Sequence, residues 1–265
     1  MWENLQMTDF TIIANGPFLY RQIIKEAMQG KKVIALDGAL NKLRWCHTYD
    51  IDYILGDFDS VDSLSQQHWG IRTTFQNLTE DSTPYNGSFD VRIVPALNQN
   101  YTDLEKAIDF CDTQGASSIT ILCASGGRQD HDIAVKQAMK KAYRPDRLIT
   151  LHTNEQSIRF ARDEAVEIIG QPGDYCGFIS SVGHCSSEDL KHTCNCHQES
   201  FCNQLTKEKA ILNVTGEAMV ILPPMLASQR EFMSYDELEQ LSLLHKDAEN
   251  NAIHYDTMNF FHSFS

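Results

Sequence analysis

The first 150 residues alternate short, β-rich apolar runs with longer amphipathic stretches. Parallel strands need crossover connections long enough to hold a helix, so this alternation commits the chain to a mostly parallel sheet wrapped by helices. Strands are expected over residues 10–16, 31–37, 52–57, 91–97, 117–125 and 147–153, and helices over 17–29, 60–69, 103–113 and 131–143. The polar run 76–90, with its Asn86-Gly87 turn signal, reads as an exposed loop or hairpin. After residue 153 the helical periodicity disappears. Residues 154–224 read as strands separated by turns, a smaller β-domain, and 225–265 as a partly helical tail in which Ser234 and Glu237 have capping-box spacing.

Composition narrows the classes of function. No apolar run among the 265 residues approaches the roughly 18 needed to span a bilayer, and the first residues lack the basic and apolar regions of a secretory signal, so a cytoplasmic location is expected. The eight cysteines, several on apolar stretches, then read as reduced core thiols, and the sequons at Asn77, Asn86, Asn100 and Asn213 as idle. A net charge of −14 disfavours nucleic acid and anionic membrane surfaces as partners. A nucleotide remains compatible with that charge if metal and local donors neutralise its phosphates.

If the strands are parallel, the loops after them share one edge of the sheet, where open α/β folds bind ligands. The unusual residues fall in those loops: Asp37, Gly38 and Asn41 after the second strand; Asp57 and Asp59 after the third; Asn98 to Asp103 after the fourth; Ser125 to His131 after the fifth. Asp57 and Asp59, two residues apart on a tight turn, offer hard oxygens suited to Mg2+; otherwise Asp59 or Ser60 caps the helix that follows. Asp103 also fits a first helical turn, with Thr102 and Glu105 in capping-box spacing. Gly126 and Gly127 precede a helix whose N-terminus could hold a phosphate beside Arg128. Asp130 reads equally as an ion-pair partner for Arg128, and His131 as an ordinary first-turn residue.

In order and spacing, DGALN (37–41), ILGDFDS (54–60), NQNYTDLEKAI (98–108) and GGRQDH (126–131) closely resemble the signatures of the thiamine pyrophosphokinase family. The resemblance implies transfer of a pyrophosphoryl group from ATP to the hydroxyl of thiamine, giving thiamine diphosphate and AMP with Mg2+. It also implies a Rossmann-like catalytic domain (1–153), a C-terminal antiparallel β-sandwich of thiamine-binding type (154–224), and a homodimer with thiamine at its interface. Carried onto matching positions, Asp57, Asp59 and Asp103 hold the metal. Asp37, Gly38, Asn41 and Thr102 belong to the nucleotide site. Gly126, Gly127, Arg128, Asp130 and His131 align the phosphates and the acceptor alcohol.

The second half matches less closely: Gly173 to Cys185 resembles the start of the family's sandwich, but His192 stands where the family has Trp, and only residues 200–203 resemble its S-x-S-N segment. That departure keeps two alternatives in view, a pyrophosphokinase for another heterocyclic alcohol and an inactive nucleotide- or thiamine-binding protein. The histidines and cysteines between His184 and Cys202 are dense enough to ligate zinc, but Cys-x-Cys lacks a second well-spaced pair of the zinc-finger type, so a loop with incidental reduced thiols is the favoured reading.

Overall fold

The computed structural model describes residues 8–44, 50–69, 71, 91–192, 194–196 and 199–225. The 76–90 loop, the helix with Ser234 and Glu237, and the sequons at Asn77 and Asn86 lie outside these residues.

The first six strands along the chain are parallel: β1 (Thr8–Ile13), β2 (Lys32–Leu36), β3 (Tyr53–Gly56), β4 (Arg92–Pro95), β5 (Ala116–Leu122) and β6 (Leu148–His152). Their spatial order is β6-β5-β1-β2-β3-β4, so the first strand lies in the middle, with β2 and β5 on either side, both parallel to it. The direction in which strands are added reverses there. Successive side chains of a strand alternate between faces, and both faces are covered. On one, Phe10, Ile12, Ile34, Leu36 and Ile121 pack with α4 (Asp103–Thr113) and α5 (Gln129–Lys141). On the other, Ile13, Val33, Ala35 and Ile54 pack with α1 (Arg21–Met28), α2 (Leu40–Leu43) and Trp69 of α3 (Ser63–Trp69).

The elements occur where the apolar periods place them, but most expected strands ran too far at their C-terminal ends. Ala14–Gly16, Asp37 and Cys123–Ser125 have already left the sheet; Cys123 does so through a left-handed conformation at φ 55°. Asp37–Ala39 is a 3-10 turn leading into α2, where the sequence suggested only a loop. The first helix begins at Arg21 rather than 17, beyond Pro17. The third begins at Ser63, and its N-terminal donor is met by Asp62, whose Oδ1 accepts from the Ser65 N–H at 2.8 Å, rather than by Asp59 or Ser60. α4 matches expectation at both ends, because Thr102 and Glu105 form the reciprocal capping box.

Beyond β6 the sheet continues without a break. β7 (Ser157–Ile169) pairs antiparallel with β6, and the path runs on through β11 (Lys209–Leu222), β8 (Tyr175–Ser187) and β10 (Ser200–Gln204), with β9 (Cys194–Cys196) on β8. This half has its own apolar cluster, including Val166, Ile168, Phe178, Leu212 and Val220. Cys111, Cys123, Cys176 and Cys185 are buried, and Cys202 is exposed. Among the described residues no helix is long and apolar enough to cross a membrane.

Candidate active site

The parallel strands all end at one edge of the sheet, and the reversal at β1 opens a crevice there. Asp37 is the first residue past β2 and is only 2% exposed. β3 passes close beside it at Gly56, where an added Cβ would lie 2.6 Å from the Asp37 Cβ. The next residues turn sharply: Phe58 takes a left-handed conformation at φ 65° and buries its ring in the core, while its neighbours Asp57 and Asp59 face the crevice. One carboxylate oxygen from each of Asp37, Asp57 and Asp59 lies within 4.8 Å of the others. The Asp57 carboxylate accepts from the Gln99 side chain and from the Asp59 N–H at 3.3 Å.

Three acids this close cannot all ionise freely. Burial, followed by a hydrogen bond shared with Asp57 and the charges of Asp103, Asp57 and Asp59, pushes the Asp37 pKa up to about 7. Burial opposes ionisation of Asp57 as well, yet its hydrogen bonds from Gln99 and Asp59 and the nearby Lys106 ammonium hold it below the usual carboxylate range. Asp37 Oδ1 is buried with no hydrogen-bond partner, which is costly unless something positive meets it. An orphaned buried oxygen among hard carboxylate donors is a fit for Mg2+, which binds through one or two carboxylates plus phosphate oxygens and water.

Asp103, the first residue of α4, lies outside this set of three, although its charge acts on Asp37. Its Oδ1 accepts from Lys106 Nζ at 2.9 Å. The remaining expected residues occupy the same edge, several with local tasks. Gly38 lies under Asn15, whose Nδ2 would be 2.2 Å from an added Cβ. Asn41 uses both amide atoms to brace the acidic loop, donating to Ser60 O and accepting from the Asp62 N–H, each at 2.9 Å. Thr102 caps α4. The Gly126 N–H donates to Asp132 at 3.1 Å, which ties the glycine turn to α5; Gly127 and His131 are exposed beside it. Arg128 and Asp130 form an exposed ion pair, and the hydrogen bond from Arg128 draws the Asp130 pKa down to about 2.

Sequence reasoning missed the loop after β1. Lys42 Nζ donates to the Asn15 and Gly16 carbonyls at 3.1 and 3.0 Å, and Pro17 lies against Gly126. Strand order reveals this loop's importance, since it emerges at the reversal point. Lys106 was also missed, although its signal was present as a lysine three residues after Asp103.

Residues 23–151 match the family described as thiamin pyrophosphokinase, catalytic domain. That segment is similar to the catalytic domain of thiamin pyrophosphokinases. Likeness of fold extends further than that match. The thiamine pyrophosphokinase of Bacillus subtilis superposes with a TM-score of 0.65 at 19% identity, covering 83% of this chain and 100% of its own. The Candida albicans thiamin pyrophosphokinase gives 0.62 at 17%, covering 83% and 90%, and the yeast thiamin pyrophosphokinase 0.62 at 12%, covering 86% and 90%. The thiamin pyrophosphokinase fold thus takes in much of the antiparallel half as well as the matched segment. Comparison with curated proteins returns no match.

Proposed function

We propose that the protein transfers a pyrophosphoryl group from ATP to the hydroxyl of thiamine, releasing AMP and thiamine diphosphate. The observation that carries this reading is the convergence of Asp37, Asp57 and Asp59 within 4.8 Å at the ligand-binding edge of a domain similar to the thiamin pyrophosphokinase catalytic domain. Transfer of this kind asks a protein mainly for positioning and charge neutralisation. Asp57, Asp59 and Asp103 hold Mg2+ in this reading, with Asp37 supplying a further oxygen; the ion offsets charge on the phosphates. The Gly126–Gly127 turn, the N-terminus of α5 and Arg128 receive phosphate oxygens. An aspartate of the cluster accepts the proton of the attacking alcohol.

Residues 154–224 act as the thiamine-binding β-sandwich, and the enzyme works as a cytoplasmic homodimer with thiamine at its interface. What supports the role of residues 154–224 is that the two segments resembling the family's thiamine region are adjacent: buried Asn203 accepts from the His192 N–H at 3.0 Å and donates to the His192 carbonyl at 2.9 Å. His192 replaces the family's Trp there, which favours a second reading, the same transfer to another heterocyclic alcohol.

Incubation with ATP, Mg2+ and thiamine, followed by chromatography, is expected to yield AMP and thiamine diphosphate in equal amounts. AMP formed only with a different alcohol would establish the second reading, and ligand binding without either product would exclude both. Asp57→Asn is expected to lower turnover by on the order of a hundredfold or more while leaving the circular dichroism spectrum unchanged. Loss of fold in proportion to activity would make the carboxylate structural.

A further inference from the structure

Lys106 is unlike the surface lysines of this protein. Its side chain is only 10% exposed, against 52% for Lys32 and 73% for Lys207. A desolvated ammonium needs acceptors, and Lys106 has two: the Ala96 carbonyl at 2.8 Å and Asp103 Oδ1 at 2.9 Å. Ala96 follows β4 and opens the loop that carries Gln99, whose amide holds Asp57. One side chain therefore links the loop after β4, the first turn of α4 and the acidic crevice. Thr102 and Glu105 fix the same turn by capping, and the Lys106 N–H donates to the Thr102 carbonyl at 3.1 Å, so the lysine's direction is set by the helix start. Its charge also reaches Asp57.

We infer that Lys106 is a positioning residue of the acidic crevice: an internal counter-ion that holds Asp103 and the loop after β4 in place, and that lowers the crevice's affinity for a divalent cation. The inference rests on the reading of the carboxylates as a metal site. A neutral side chain at 106 leaves the carboxylates with one positive charge fewer, so a cation from solution binds more tightly, while Asp103 loses the partner that orients it. A lysine with only a structural task would leave cation affinity alone.

Mn2+ binding to the full chain without nucleotide, followed by electron paramagnetic resonance, tests this. Lys106→Gln, which keeps a donor for the Ala96 carbonyl, is expected to bind Mn2+ about five- to tenfold more tightly at low ionic strength, with the gain shrinking as salt is added. Its turnover is expected to fall at saturating metal. Lys106→Met, which keeps the aliphatic stem, carries the same expectation and serves if the glutamine variant does not fold. Lys106→Arg retains the charge and should stay within about twofold of the parent. Unchanged or weaker Mn2+ binding in the neutral variants overturns the role of Lys106, provided that the parent binds Mn2+ and Asp57→Asn weakens that binding. If the parent does not bind, or Asp57→Asn binds equally well, the metal reading itself falls and this inference with it.

Discussion

At the scale of single residues, the site is made by two side chains held against their ordinary preferences. Phe58 adopts a backbone conformation that costs a bulky residue on the order of 1–3 kcal/mol, and burial of its ring, 1% exposed, offsets that cost. The reward is directional, since the turn brings Asp57 and Asp59 to the same crevice. Asp37 is held with its pKa near 7 rather than at the ordinary 3.8. Between those values the unfolded chain has released this proton and the folded chain still binds it, so the contribution of Asp37 to stability falls as pH rises from about 4 to 7. In metal-free protein the loss is on the order of a few kcal/mol. Asp37→Asn, neutral throughout, is expected to remove this decline, visible as urea midpoints that differ less between about pH 5 and pH 8 than those of the parent. An undiminished decline in the variant would place the slope elsewhere. Saturating Mg2+ should restore the parent at the higher pH by binding the ionised carboxyl. The acidic pair was visible in the sequence as DFD. The left-handed Phe58 was not, because nothing local distinguishes it from an ordinary apolar residue.

At the scale of elements, capping chemistry read from sequence proved right for α4 and wrong for α3. Thr102 and Glu105 act within one turn of chain, and their pairing needs no distant partner. Asp62 wins at α3 because Arg44, from the end of α2, holds its carboxylate at 2.8 Å, a contact between separate elements. The long antiparallel strands show the same dependence. Gly216 of β11 and Gly183 of β8 are cross-strand partners with φ of 83° and 132°, and Asp163 of β7 accepts from the Gly216 N–H at 2.7 Å. An added Cβ on Gly216 would lie 2.5 Å from the Val182 carbonyl oxygen, and the pairing register shifts on both sides of this point. Gly216→Ala is therefore expected to destabilise by roughly 2 kcal/mol or more, measured by urea unfolding. An effect below about 0.5 kcal/mol, ordinary for an unremarkable surface position, would contradict the close approach.

At the scale of the whole molecule, one hydrogen-bonded path crosses from the parallel to the antiparallel half where β6 meets β7. His152 lies at that junction opposite Ser157, its Nδ1 within 2.6 Å of the serine Oγ. Burial, with the charge of Lys31 added, lowers its pKa to about 4 from 6.5. A depressed histidine contributes its stability above pH 6.5 and loses it as pH falls toward 4, because the unfolded chain takes up the proton first. His152→Gln should flatten that acid-side decline in thermal unfolding midpoints, which runs opposite to the Asp37 effect over nearly the same range and so separates the two groups. A decline equally steep in the variant would assign the acid sensitivity to other residues. The sequence by itself determined the alternation of strands and helices, the capping of α4 and the loops that bear the acids, because apolar period and first-turn chemistry act over a few residues. Tertiary structure alone decided that β1 lies at the centre, that Asp37 joins Asp57 and Asp59 in the closest set, that Lys106 is buried against Asp103, and that the sheet runs on past β6. Those outcomes depend on which distant strands become neighbours, and that follows from how the elements pack together, which no short window of the chain records.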